Sequence, residues 1–308
     1  MTTAVVFAYH NVGLRCLSVL LAHGVDVPLV VTHEDRAGEN IWFGSVAGLA
    51  REHDIPVIAP ANPNVPEVVS RIAALDPDFL FSFYYRQMLK PELLATAQRG
   101  AYNMHGSLLP SYRGRVPVNW AVIRGETETG ATLHAMVEKA DAGGIVGQQA
   151  VPILPNDTAL DVFAKVTVAG ELVLMRSLPG LIAGTAQLTP QDFTRASYCG
   201  GRKPEDGRIN WHQDAQSIHN LVRGVAPPYP GAMTAIAGKP ARILRTRVID
   251  VAPSADGVPS LVLREGRMMA HCGGGGTLRV LALECAGRPV AAGEFVAAFG
   301  RDNIPLGA

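Results

Sequence analysis

Apolar positions change period repeatedly along the first two thirds of the chain. Ala4 to Ala8 is a continuous apolar run, and helical spacing at Leu14, Leu17, Val19, Leu20 and Leu21 follows it and stops at Gly24. The order then recurs: Val27 to Thr32 as strand and Ser45 to Glu52 as helix, Ile55 to Ala59 and Pro66 to Leu75, Phe79 to Phe83 and Pro91 to Gln98, then a strand from Ala101 to Met104. Alternation of this kind predicts an α/β fold with a Rossmann-like, doubly wound, mostly parallel sheet. A helix from Pro117 to Arg124, strands from Ala131 to Val137 and Gly144 to Val151, and a long helix from about Thr158 to Ile182 complete this part.

The segment CGGRKPEDGRIN, Cys199 to Asn210, combines Gly, Pro and charge and reads as a boundary, giving expected domains 1–203 and 204–308. Beyond it a short helix at Ser217 to Val222 precedes short apolar runs at Ala232 to Ile236, Ala241 to Val248, Ser260 to Leu263, Met268 to His271 and Thr277 to Leu283. Strands at that spacing predict a small β-barrel or sandwich. The glycine run from His271 to Gly276 reads as a mobile hairpin connection.

Composition narrows the class. Apolar residues make up 48 %, charged residues 18 %, and 27 Lys+Arg balance 27 Asp+Glu, so no bulk charge favours nucleic acid. From Pro204 onward the count is 11 basic against 9 acidic, and 16 against 18 before it, which disfavours a tRNA partner. Cys16, Cys199, Cys272 and Cys285 are scattered, with no C-x-x-C pair for zinc or redox work, and are expected to be buried or incidental thiols. The N-terminus lacks a signal-peptide pattern and no run approaches the roughly 18 apolar residues of a membrane span, so a cytoplasmic protein is expected.

Open α/β sheets bind ligands at the carboxyl ends of their strands, which directs attention to Tyr9–Gly13, Phe83–Leu89 and the residues after Met104. The first loop has no G-x-G-x-x-G, so the cradle for a dinucleotide pyrophosphate is missing. The densest polar cluster is Asn103-Met-His105-Gly-Ser107-Leu-Leu-Pro110. Alternation along a strand sends Asn103 and His105 to one side, where an amide N–H can meet an oxyanion and an imidazole can move a proton. Asp141, in Lys139-Ala-Asp-Ala-Gly143 between two strands, is the candidate to orient that imidazole. Ser107 lacks the G-x-S-x-G elbow of a hydrolase, and a zinc site at His105 and Asp141 lacks a third ligand. Phe81, Phe83 and Leu89 are either core or the wall of an apolar slot, and Arg113 and Arg115 are either solvated or anion-binding.

Asn103-x-His105-Gly-Ser107-Leu-Leu-Pro110, Tyr112-Arg-Gly-Arg115-x-Pro117 and Asp141-Ala-Gly143, followed by Asp206-Gly-Arg-Ile-Asn-Trp211 and Tyr229-Pro-Gly-Ala232, resemble the folate-dependent formyltransferases in order and over nearly the whole chain. Val6 to His10, Phe81 to Arg86, Gly125 to Thr129 and Val137 to Asp141 are most similar to the members that formylate UDP-4-amino-4-deoxy-L-arabinose in lipid A modification and polymyxin resistance.

The resemblance implies an OB-like second domain and 10-formyltetrahydrofolate as co-substrate with no metal. It also implies Asn103 as transition-state stabiliser, His105 as proton donor and Asp141 tuning His105. Folate contacts are implied at Gln87, Met88, Leu89 and Arg115 and at Val137, Glu138, Lys139, Ala140 and Asp141. Tyr9, His10 and Asn11, after the first strand, are expected on the acceptor side, with a nucleotide sugar and folate as small-molecule partners.

The bifunctional members carry a further dehydrogenase-decarboxylase domain for which this chain is too short. A free-standing formyltransferase is therefore expected, with a separate UDP-glucuronate dehydrogenase-decarboxylase as a candidate partner. The alternatives are methionyl-tRNA formyltransferase, a formyltransferase for another nucleotide-linked amino sugar, a formyltetrahydrofolate hydrolase, whose extra N-terminal domain is not expected where a strand begins at Ala4, and a non-catalytic binding module. The oligomeric state is left open.

Overall fold

A computed structural model describes residues 1–35, 38–253 and 257–307. The chain divides into two compact units, one made of Met1–Pro117, Glu128–Val151 and Phe163–Gly200, the other of Val118–Thr127, Pro152–Val162 and the chain from Gly201 onward. Along the sequence come β1 (Thr3–Ala8), α1 (His10–Ala22), β2 (Asp26–Val31), α2 (Val46–Glu52), β3 (Val57–Ile58), α3 (Pro66–Ala73), β4 (Phe79–Phe83), α4 (Pro91–Leu94) and β5 (Gly100–His105). After them come β6 (Arg113–Gly114), α5 (Pro117–Ile123), β7 (Glu128–Ala135), β8 (Ile145–Pro152), α6 (Ala159–Ala183) and β9 (Tyr198–Cys199).

Seven strands of the first unit form one sheet in the order β3-β2-β1-β4-β5-β7-β8. From β3 to β5 every neighbouring pair is parallel, and β7 runs antiparallel to β5. The sheet is thus the mostly parallel, doubly wound one expected, and its order reverses between β1 and β4. Strand alternation sorts the side chains by face. Val5, Phe7, Leu29, Val31, Leu80 and Ala101 pack with Ile72 of α3 and Leu93 of α4 into one core.

Element ends have local causes. Ser45 caps α2 from outside, its hydroxyl accepting from the Gly48 N–H at 3.0 Å. Helices α3 and α4 each start on proline, whose missing N–H costs nothing there. Helix α4 stops at Leu94, short of the expected Gln98, because the N–H groups of Gln98 and Arg99 turn back to the carbonyls of Pro77 and Asp78. Helix α6 is a correction of another kind: its 25 residues include an 18-residue window of mean hydropathy 1.4, long and apolar enough to cross a membrane by length and composition. Within the first unit, Val166, Val173, Leu174 and Leu178 of this helix are buried in protein.

The second unit contains α7 (Ala215–Gly224), β10 (Ala232–Ile236), β11 (Lys239–Asp250), β12 (Ser260–Arg264), β13 (Arg267–His271), β14 (Thr277–Cys285), β15 (Arg288–Pro289), α8 (Phe295–Phe299) and β16 (Asn303–Pro305). Its antiparallel strands run in the order β10-β11-β14-β13-β12-β16, with β15 paired to β14, a curled half-barrel of the OB-like kind. Trp211, Ile218 and Val222 lie in its core with Ile243, Leu278 and Phe295, and the Trp211 indole N–H reaches Thr234 Oγ1 at 2.8 Å.

The glycine run before β14 is not the mobile connection expected. The Gly273 N–H donates to Trp211 O at 2.8 Å, Gly274 N–H to Gln213 O at 3.2 Å, and Gly275 O accepts from Ala215 N–H at 2.9 Å. A Cβ on Gly274 would lie 2.6 Å from the Asp214 nitrogen, so the glycines permit a close backbone crossing.

Candidate active site

The polar cluster sits where β5 and β7 run side by side. In the antiparallel register Asn103 faces His134 and His105 faces Thr132. The Asn103 amide nitrogen lies 3.1 Å from His134 Nε2, and His134 Nδ1 lies 2.8 Å from the Ala135 carbonyl. A carbonyl can only accept, so the proton of a neutral His134 belongs on Nδ1 and its Nε2 accepts from the amide. The same argument applies to His105, whose Nε2 donates to Tyr112 O at 2.8 Å. That leaves His105 Nδ1 as a lone pair.

Asp141 closes the group. Its Oδ1 is 3.6 Å from His105 Nδ1 and 3.5 Å from His134 Nε2, while its Oδ2 accepts the Gly114 N–H at 2.8 Å. The His105 Nδ1 lone pair and a carboxylate oxygen therefore face each other across a place that favours a single proton, while the His134 Nε2 lone pair is taken by the Asn103 amide. Burial pushes the His105 imidazole below the ordinary histidine range, against the pull of Asp141 and the Tyr112 carbonyl. Burial alone would raise the Asp141 carboxyl, but His105, His134 and the Gly114 N–H together hold it well below the usual carboxylate range. At neutral pH the pair is a neutral imidazole facing a carboxylate.

Several residues around the site adopt left-handed backbone. Tyr112, Val116 and Asp141 have φ of +59°, +48° and +52°, and His10 and Tyr84, at the carboxyl ends of β1 and β4, have +68° and +58°. Each costs on the order of 1–3 kcal/mol and persists only where the surroundings enforce it. The short parallel pairing of β6 with β9 holds Arg113 and Gly114 against Tyr198 and Cys199 and so places the N–H that Asp141 accepts.

The other expected residues divide sharply. Arg113 is fully buried, donating to Gln191 Oε1 at 2.6 and 3.2 Å and to the Tyr198 hydroxyl at 2.9 Å, so it braces the loop and meets no anion. Arg115 is exposed. Phe81 and Phe83 are fully buried and stacked 5.5 Å apart, and Leu89 is buried in the core, which removes all three as walls of an open slot. Ser107 is buried with its hydroxyl donating to Ser111 O at 2.6 Å, away from the role of a nucleophile.

Of the expected folate residues, Met88 and Val137 are 56 % and 45 % exposed and Glu138 and Lys139 are exposed, so apolar side chains and loop backbone are open to a flat ring with a polar edge. Gln87 donates to Ala61 O at 2.9 Å, and Ala140 lies half-buried beside Asp141. These residues fit a folate, which would supply an activated one-carbon group. Tyr9, His10 and Asn11 do gather at the end of β1. The His10 ring lies 3.9 Å from Phe43 and 4.5 Å from both Trp42 and Phe163, its basicity pushed down to about 3 by burial and by Arg86, and Asn11 Oδ1 accepts from Gly44 N–H.

His134 is the residue the sequence reading missed. Its only signal was its place in the expected strand before Asp141, one position among several until the β5–β7 register is known. The four cysteines are free and buried, as expected, and among the described residues no group of three or more His, Cys, Asp or Glu is placed to hold a metal ion.

Comparison with known proteins agrees with this architecture. The chain superposes on the N-formyltransferase from Helicobacter canadensis, solved with folinic acid and dTDP-3-aminofucose, with a TM-score of 0.70 at 20 % identity, covering 91 % of this chain and 99 % of that one. It superposes equally on WlaRD, a sugar 3N-formyltransferase solved with dTDP and 5-N-formyl-THF, at 0.70 and 18 % identity, covering 94 % and 99 %. It also matches HypX from Aquifex aeolicus in complex with tetrahydrofolic acid at 0.64 and 16 %, covering 96 % of this chain but 47 % of that one. At these identities the likeness is one of fold. The sequence profile described as "Formyl transferase" matches residues 19–178, and that of "Formyl transferase, C-terminal domain" matches 202–300. The first of these spans more than half of the chain, and the protein belongs to the formyl transferase family.

Proposed function

We propose that this protein transfers the formyl group of 10-formyltetrahydrofolate to the 4-amine of UDP-4-amino-4-deoxy-L-arabinose, with residues 1–203 carrying the chemistry and 204–308 as an OB-like accessory domain. The observation that carries the reading is the convergence of Asn103, His105 and Asp141, joined by His134, at one edge of the sheet in a member of this family. The folates and amino sugars named with the structural neighbours support the donor and the acceptor class. Such a reaction belongs in the cytoplasm and acts within lipid A modification.

The geometry is consistent with the following roles. The amine nitrogen attacks the formyl carbon, and the second N–H of Asn103, the one not given to His134, donates to the oxyanion that forms. The proton leaving the amine is taken up by the His105 imidazole, where Asp141 stabilises the resulting cation, and is returned to the departing nitrogen as the carbonyl re-forms. Bonds and protons balance: one C–N bond forms, one breaks, and one proton moves from acceptor to donor nitrogen. Gln87, Met88, Leu89, Arg115 and residues 137–141 hold the folate in this reading, Leu89 through its backbone.

A second reading, transfer to another nucleotide-linked amino sugar, is favoured by the dTDP-linked 3-amino sugar bound to the Helicobacter neighbour. The test is consumption of 10-formyltetrahydrofolate by the purified protein with UDP-4-amino-4-deoxy-L-arabinose, dTDP-linked amino sugars, methionyl-tRNA or no acceptor. Rapid turnover with the arabinose derivative alone is expected. Turnover with a dTDP-sugar instead replaces the acceptor, turnover without acceptor makes the protein a hydrolase, and none at all leaves a binding module.

A further inference from the structure

A cavity of about 390 Å³ opens at the carboxyl ends of β1, β2 and β3, on the far side of the sheet's reversal point from Asn103. Its walls mix apolar side chains, Phe43, Ala47 and Ile58 among them, with polar ones that include Thr32, Ser45 and Arg51, and Glu34 and Asp35 lie together in the loop that follows β2. Tyr9 forms the side toward β4, its hydroxyl donating to Asp35 Oδ1 at 2.6 Å. The volume is within the range of small-molecule sites, and a lining this rich in polar groups suits a ligand that carries hydroxyls and phosphates beside a flat ring.

The position along the sheet gives the cavity its meaning. Phe7 on β1 is level with Val31 on β2 and Ser82 on β4, and Ser82 is level with Asn103 on β5. Neighbouring strands are about 4.8 Å apart, so the β2 end lies roughly 14 Å from the β5 end where the formyl group would be transferred. Arg86 stands between the two, in the loop after β4. Its guanidinium carbon is 4.4 Å above the Tyr9 ring and its N–H groups pair with Glu39. A carboxylate pair at the end of β2 accepts from vicinal hydroxyls of a ribose, and a guanidinium exchanges one carboxylate for a diphosphate at little cost.

We propose that this cavity seats the ribonucleoside of the acceptor, with Glu34 and Asp35 receiving the ribose hydroxyls and Arg86 the diphosphate, so that the amino sugar is delivered to Asn103 and His105. The proposal rests on the nucleotide-sugar reading above and adds to it a choice of ribonucleotide over deoxyribonucleotide and the residues that make the choice. It assigns Glu34 and Asp35 to specificity and leaves the transfer chemistry to the β5–β7 edge.

The first test is binding of nucleotides alone. Calorimetric titration of the whole chain with UDP, CDP, GDP and ADP, each against its 2′-deoxy form, should find at least one ribonucleotide bound about tenfold or more tighter than its deoxy counterpart. Glu34→Gln should shrink that ratio severalfold, Arg86→Gln should weaken the diphosphate and leave the bare nucleoside unchanged, and Ala47→Phe should abolish binding by filling the chamber. Glu34 is exposed, so Glu34→Gln carries the test even where Ala47→Phe does not fold. Equal affinity for ribo and deoxy forms, affinity indifferent to Glu34→Gln, no binding of any nucleotide, or displacement of the nucleotide one for one by tetrahydrofolate would each overturn the proposal. Nucleotide binding as described, in a protein that formylates no amino sugar, supports this site and removes the reading on which it was built. Formylation of a nucleotide sugar with unchanged KM in Glu34→Gln and Arg86→Gln removes this site alone.

Discussion

Two buried histidines, one in each unit, show what separates a site from a support. His219 in α7 is 3 % exposed, with Nε2 3.0 Å from Pro155 O and Nδ1 2.8 Å from Thr246 Oγ1. The carbonyl takes the Nε2 proton and the threonine hydroxyl donates to Nδ1, so a neutral ring has both nitrogens satisfied. Its neighbour Arg223 is likewise spent on Asn220 Oδ1 and Asp157 O. His105 is 6 % exposed and also gives Nε2–H to a carbonyl, but its Nδ1 faces a carboxylate oxygen. Burial lowers the basicity of both rings. The depressed basicity is therefore not what marks the site. A second nitrogen left facing a carboxylate is what makes proton uptake at His105 a balanced event, whereas at His219 it would only break a hydrogen bond.

The comparison can be broken at its strong end first. Asn103→Ala and His105→Ala should each lower turnover by about 10²- to 10³-fold with the thermal unfolding profile retained, since these side chains act on charge and protons that develop during transfer. Near-normal turnover in either would remove the assignment. His134→Gln comes next, with an expected loss of about 10- to 100-fold, because Asn103 loses the acceptor that fixes its amide and Asp141 loses a neighbour. An unchanged pH profile of kcat in this variant would show His134 to be scaffolding only.

Thr246→Val sharpens the contrast from the other side. Removing the hydroxyl leaves a buried Nδ1 lone pair, so the folded state should lose about 1–3 kcal/mol in denaturant titration while turnover per folded molecule stays unchanged. A fall in turnover without a fall in stability would place His219 in the chemistry.

The smallest effect is on pH dependence. His10, His105 and His219 all have folded-state values below the ordinary histidine value of about 6.5. Their contribution to stability is thus complete above that pH and is lost as pH falls below it, for His10 across the window down to about 3. The melting temperature should decline from pH 7 to pH 5, and less steeply in His219→Gln. Asp141, also depressed, holds its contribution until pH falls below the ordinary carboxylate value.

Much of the architecture was legible along the chain because the β1–β5 region alternates short apolar runs with helical spacing, and each of its strands appeared within a residue or two of the expected bounds, β3 being the shortest because it pairs over two residues only. The miss at α4 came from backbone hydrogen bonds to Pro77 and Asp78, which no periodicity encodes. The glycine run at 273–276 was misread because glycine signals freedom and close approach alike, and only the partner backbone at Trp211 and Gln213 separates the two. At the site, Asn103 and His105 were legible from strand alternation. Asp141 was legible from its loop, and His134 was not, because its role depends on the antiparallel register of β5 with β7.

By itself the amino-acid sequence determined the doubly wound sheet, the loops on its ligand-binding edge and the polar trio, because short-range periodicity and dense polar motifs are local properties. Tertiary structure alone decided that Arg113, Phe81 and Phe83 are internal supports, that His134 joins Asn103 to Asp141, and that a chamber opens beyond β2. Each of those outcomes depends on which distant segments share a few ångströms of space, and a residue's chemistry is the same whether it braces a loop or faces a substrate.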